Sequence, residues 1–93
     1  MKITPSQAER LDVLIEEAAE VIMAACKIQR FGFESYHPDH VEGPNNLENL
    51  HNEIGNFVSM LDLMIEAGDI EEVKIYEAAE LKKQTRDKYM RYQ

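Results

Sequence analysis

The sequence predicts an all-α protein, an antiparallel helical bundle of three main helices whose four-helix packing is completed by oligomerisation. Three observations predict this class. Apolar residues recur at three- and four-residue spacing through two long stretches. No stretch shows the polar–apolar alternation of a strand. Residues that cap helices stand where each periodic stretch begins.

The first helix is expected over about 5–29. Thr4, Pro5 and Gln7 occupy the N-cap, N1 and N3 positions of a capping box. Leu11, Leu14, Ile15, Ala18, Val21, Ile22, Ala25 and Ile28 then recur at helical spacing. A loop is expected over 31–44, because Gly32, Pro38, Gly43 and Pro44 punctuate it. The second helix is expected over about 46–67, with Asn45 as cap and Glu48 at N3. Its seam reads Leu47, Leu50, Ile54, Phe57, Leu61 and Met64, with Glu53 at the edge, and Gly68 closes it. The third helix is expected over about 70–91, with Asp69 as N-cap, Glu72 at N3 and a weaker stripe from Ile70, Val73 and Tyr76. A domain of this size buries only about 60% of its unfolded surface, so a homodimer or homotetramer is expected.

Composition limits the function. The net charge of -8 disfavours nucleic acid, whose binding needs cations to neutralise phosphates. No apolar run approaches the ~20 residues of a membrane span. The single cysteine, Cys26, excludes an internal disulfide, and with five methionines it suits a reducing, cytoplasmic setting. Among Ala24, Ala25 and Ile28 it reads as a small buried hydrophobe. Charge is segregated: Phe31 to Val73 holds no Lys or Arg, whereas Lys82, Lys83, Arg86, Lys88 and Arg91 crowd the end. Such a chain can hold a metal–phosphate complex, although a solvated acidic face with a basic tail accounts for the same charges.

The chemistry lies in two short motifs. Glu16, Glu17 and Glu20 fall within one turn of the first helix, so Glu17 and Glu20 share a face and Glu16 stacks with Glu20. Glu53 and Asn56 form another pair three residues apart on the second helix. If the helices pack antiparallel, Glu17, Glu20, Glu53 and Asn56 converge. Half-buried glutamates repel one another and lose hydration, and a divalent cation offsets both costs. Mg2+ takes oxygen ligands and keeps room for waters and phosphates, and Mn2+ suits the same donors. Gly55 between the ligand positions weakens the helix by roughly 0.5–1 kcal/mol relative to Ala, which the close approach of another helix or a ligand would justify.

The pattern Glu16-Glu17-x-x-Glu20 followed by Glu53-x-x-Asn56 resembles the two-helix signature of the MazG-like all-α nucleoside triphosphate pyrophosphohydrolases. The flanks Leu14-Ile15-Glu16-Glu17-Ala18-Ala19-Glu20-Val21 and Asn52-Glu53-Ile54-Gly55-Asn56-Phe57 are similar too. The stretch Lys27-Ile28-Gln29-Arg30-Phe31-Gly32, with Ser35-Tyr36-His37-Pro38, resembles short members encoded by bacteriophages. The likeness runs from about Leu11 to Met64. It implies a single domain over 1–93, hydrolysis of a (deoxy)nucleoside triphosphate to monophosphate and pyrophosphate, and Glu16, Glu17, Glu20 and Glu53 as the catalytic acids. It further implies Glu17, Glu20, Glu53 and Asn56 as metal ligands, and Lys82, Lys83 and Arg86 on the phosphates. Asn56 departs from the family, which has an acid there.

Other readings remain open. A catalytically weakened descendant would bind nucleotide or protein without turnover, and a structural helical interaction bundle would need no metal. His37 and His40 read as loop residues rather than metal ligands, and Tyr36 or His37 can line a base pocket. Glu48 and His51 form one E-x-x-H, whereas a di-iron bundle needs two.

Overall fold

The computed structural model describes residues 2–93. It is all-helical, with α1 at Pro5–Phe31, α2 at Asn46–Glu66 and α3 at Glu72–Thr85, followed by a 3-10 turn at Arg86–Tyr89. The expected third helix is therefore shorter at both ends and loses α-helical geometry at Arg86. The expected loop runs from Gly32 to Asn45.

Local chemistry explains where α1 and α2 begin. The Thr4 hydroxyl accepts the Gln7 amide at 3.1 Å, and the Gln7 side chain accepts the Thr4 amide at 2.8 Å. This reciprocal pair satisfies two donors that no helical carbonyl reaches. The Asn45 side chain accepts the Glu48 amide at 2.9 Å. Gly68 follows α2 with φ +81°, a left-handed conformation that favours glycine.

α1 and α2 pack along one another in opposite directions. At one end Asn46 Nδ2 donates to the Gly32 carbonyl at 3.0 Å, and the Leu47 amide donates to the Phe33 carbonyl at 2.9 Å. At the other end Arg10 grips Asp69 through Nε at 2.5 Å and Nη2 at 3.0 Å. Asp69 was expected to cap α3. It does not: Glu71 is the α3 N-cap residue and makes no side-chain capping bond. The cation of Arg10 offers Asp69 a two-pronged partner, which outweighs one amide.

The contact seam is a heptad-like stripe on each helix. On α1 it reads Gln7, Arg10, Leu14, Glu17, Val21, Ala24 and Ile28, each half-buried or buried. On α2 it reads Asn46, Leu50, Glu53, Phe57, Met60 and Met64. Among the described residues, Ala24 and Met64 are the buried apolar ones. The expected α2 seam is thus corrected at one position, where Glu53 lies in the seam and Ile54 is exposed. A second apolar stripe, one residue on from each seam, explains the shift. It comprises Ala8, Leu11, Ile15, Ala18, Ile22 and Ala25 on α1, and Leu47, Ile54, Val58, Leu61 and Ile65 on α2. One residue turns the helix about 100°. Because the helices run oppositely, both second stripes fall on the same side of the pair. Ile15, Ile22, Ile54 and Val58 are exposed there.

α3 shares no extended interface with α1 or α2, and packs on its own 3-10 turn. Its Val73, Tyr76 and Leu81 are exposed. The radius of gyration is 16.4 Å, against about 12 Å for a compact chain of this length. The accessible surface is 7823 Å2, about 2,300 Å2 above that of a compact protein of 10.8 kDa. The Cys26 side chain, expected to be buried, is exposed, because it points away from the α2-facing seam. A Cβ built on Gly55 meets nothing within 4 Å, so no close approach within the described chain explains that glycine.

Candidate functional site

Both acidic motifs lie near the middle of their helices. The ties at the two ends of the pair bring those middles opposite one another. Glu17 and Glu53 occupy seam positions and are half-buried, whereas Glu16, Glu20 and Asn56 are exposed beside them. Glu16 and Glu20 belong to the stripe one residue before the α1 seam, and Asn56 to the corresponding stripe of α2. By the same antiparallel argument these stripes share the side opposite the apolar one. The helix pair therefore has an apolar side and a polar side, with two glutamates between.

Glu17 stands out chemically. Its Oε2 is shielded from solvent and has no hydrogen-bond partner. A carboxylate oxygen in that position is expensive, by roughly 1–3 kcal/mol or more. Between its seam neighbours Leu14, Val21 and Ala24, an apolar residue would pack without this penalty. Sequence periodicity hints at the position, since Glu17 is spaced three and four residues from Leu14 and Val21. Among the described residues, no three His, Cys, Asp or Glu side chains gather closely enough to hold a metal ion. Glu17, Glu20 and Glu53 are thus aligned on facing surfaces without being drawn into one cluster.

The basic residues expected on phosphate lie elsewhere. Lys82, Lys83 and Arg86 are all exposed on α3 and its turn. Lys83 pairs with Glu80 at 3.3 Å, Arg86 with Asp87 at 3.6 Å, and the Lys82 ammonium stands 5.6 Å from the Tyr89 ring centroid. Since α3 has no extended interface with α1 or α2, these cations are not placed on the acidic seam by packing within the chain.

A cavity lies where α1 ends and α2 begins, and Tyr36 and His37, the loop residues offered as a base-pocket lining, stand in its wall. It is a half-open cavity of about 1160 Å3 between the end of α1, the loop and the start of α2. Lys27, Arg30, Tyr36, His37 and Asn49 are among its lining. The Arg30 guanidinium stands 5.1 Å from the Phe31 ring centroid, and the His37 and His40 rings lie 5.1 Å apart. The sequence marked Tyr36 and His37 here, and gave no sign that Lys27 and Arg30 line the same cavity.

The Arg10–Asp69 pair is the strongest electrostatic tie. Its side chains are 22% and 10% exposed. The hydrogen bond from Arg10 holds the Asp69 carboxyl below its usual range against the opposing effect of burial, with Coulomb attraction and a Gln7 hydrogen bond adding to it.

No helix among the described residues is long and apolar enough to cross a membrane. Compared with known protein families, with characterised proteins and with solved structures, the chain matches none. Fold and site together define an all-helical protein with an acid-bearing helix pair.

Proposed function

We propose that this protein is a Mg2+-dependent nucleoside triphosphate pyrophosphohydrolase that works in the cytoplasm as a homo-oligomer. The observation that carries the reading is the unpartnered Glu17 oxygen in the seam, with Glu53 half-buried on the facing helix. Two carboxylates between helices, with Glu20 and Asn56 on the adjoining polar side, offer oxygen donors of the kind Mg2+ prefers, and the ion would draw them together. The resemblance to the MazG-like enzymes supports the same assignment.

Glu17, Glu20, Glu53 and Asn56 would hold the ion. When bound, it polarises the phosphate and favours attack by water. A glutamate of the group accepts the proton of that water, and the leaving pyrophosphate departs with the electron pair of the broken anhydride bond. Water and nucleoside triphosphate thus become nucleoside monophosphate and pyrophosphate. Lys82, Lys83 and Arg86 reach phosphate only once α3 folds against an acidic seam, its own or that of a second copy. The surplus surface and the exposed apolar side of the α1–α2 pair support such an assembly. About 2,300 Å2 per chain is the scale of an obligate interface between copies. Two apolar sides meeting face to face make four-helix packing, as a homodimer or a tetramer of such pairs.

A panel of nucleotides incubated with Mg2+ tests the reading. Pyrophosphate release that disappears in Glu53→Gln is expected. Folded protein without turnover on any member overturns it. The exposed, uncharged Asn56 favours a second reading, a nucleotide- or protein-binding module with weakened catalysis. Asn56→Asp separates the two, because an added charge about 4 Å from a divalent cation contributes about 2 kcal/mol even in water. A several-fold gain at low metal concentration fits an enzyme for which Asn is a weak ligand. Turnover appearing only in the variant marks the binding module. Assembly without any response to Mg2+ or nucleotide leaves a structural bundle.

A further inference from the structure

The acidic motif of α1 continues into a basic one along a single face. Glu16, Glu20, Met23, Lys27 and Arg30 follow one another at alternating spacings of four and three. Lys27 lies seven residues beyond Glu20, about 10 Å along the helix. On the facing helix, Asn49 lies one turn before Glu53 and lines the same cavity as Lys27 and Arg30. The cavity is therefore the continuation of the polar side of the pair.

Two features decide what it can take. Among the described residues neither Lys27 nor Arg30 makes an ion pair. The amides at the start of α2 are already committed: Asn46 donates to Ser35, Leu47 to Phe33, and Glu48 to the Asn45 side chain. An anion entering here meets side-chain cations, not the helix terminus. At the loop, Tyr36 is exposed at the cavity wall, and the Asp39 amide donates to His37 Nδ1 at 3.1 Å, orienting that ring. Asp39 and Glu42 also line the cavity. Their charges repel phosphate but accept hydrogen bonds from sugar hydroxyls or base amino groups.

We infer that this cavity is the nucleoside subsite, with Lys27 and Arg30 gripping the phosphate chain where it passes to Glu20 and Glu53. The inference rests on the function proposed above and adds to it a polarity: phosphates lie towards α1, and base and sugar towards the loop. Tyr36 and His37 offer ring faces to the base, and the cavity is wide enough for a purine or a pyrimidine nucleoside. Lys27 and Arg30 of α1, and not the cations of α3 alone, then recognise the polyphosphate.

Calorimetric titration of the full-length protein with Mg2+ complexes of two probes tests this: an α,β-methylene nucleoside triphosphate and inorganic tripolyphosphate. Lys27→Gln and Arg30→Gln are each expected to weaken both probes about tenfold, the scale of one charge-assisted hydrogen bond. Tyr36→Ala is expected to weaken the nucleotide alone. Thermal melts confirm that each variant is folded. Unchanged nucleotide affinity in both cation variants overturns the inference, as does wild-type protein that binds tripolyphosphate as tightly as the nucleotide, or binds neither. Pyrophosphate release that survives Lys27→Gln and Arg30→Gln at unchanged KM leaves the proposed activity standing and removes this subsite. Cation-dependent nucleotide binding without turnover keeps the subsite and removes the activity.

Discussion

Replacing Glu17 by Met probes the seam directly. Met has similar length, no charge and enough flexibility to fill the space between Leu14, Val21 and the facing helix. The substitution removes a shielded oxygen that has no partner. An unsatisfied buried polar group is worth about 1–3 kcal/mol. Each 1 kcal/mol moves the melting temperature of a domain this size by about 4–8 °C. In EDTA, Glu17→Met is therefore expected to melt at least about 4 °C above the wild type. In Mg2+ the order should close or reverse. A ligand at a hundred times its Kd stabilises the folded form by about 2.7 kcal/mol, and only the wild type keeps the carboxylate that binds it. Differential scanning fluorimetry at fixed protein concentration reads all four melting temperatures. A variant that melts lower than wild type in EDTA, with an undiminished Mg2+ response, refutes the reasoning.

Three further outcomes are expected. Met64→Ala should lower stability by about 2–5 kcal/mol in chemical unfolding, because Met64 is, with Ala24, one of the two buried apolar residues among those described. Asp69→Asn should destabilise the protein at neutral pH and flatten its acid unfolding curve. The folded-state acidity of Asp69 is depressed, so its contribution is complete above about pH 4, the unfolded value, and is lost as the pH falls through the lower folded value. Gly55→Ala should raise helix stability by about 0.5–1 kcal/mol, since the added methyl meets no neighbour in the chain. Loss of assembly or of nucleotide binding in that variant would show that a second copy or a ligand approaches there.

The ends of α1 and α2 were legible in the sequence because capping is local. Thr4 with Gln7, and Asn45 with Glu48, act across three residues and need no tertiary context. Asp69 was misread for the opposite reason: its partner Arg10 lies 59 residues away, and a sequence window sees only the helix that follows. The α2 seam was read correctly at Leu50, Phe57 and Met64 and wrongly at Ile54, because α2 carries two adjacent apolar stripes and only docking against α1 decides which is covered there. That choice moved Glu53 from the edge into the contact. The acidic motifs themselves were visible as spacing, but the shielded Glu17 oxygen and the cavity above Lys27 arise from how two helices and a loop meet. The isolation of α3 was hidden too, since its weak stripe shows what it can bury and not where.

Counting bound ions tests the central claim most directly. Titration of Mn2+ followed by electron paramagnetic resonance should reveal a site in the wild type, and that same site should vanish in both Glu17→Gln and Glu53→Gln. Mn2+ binding that persists with unchanged number and affinity in either variant would contradict a cation shared between the two helices.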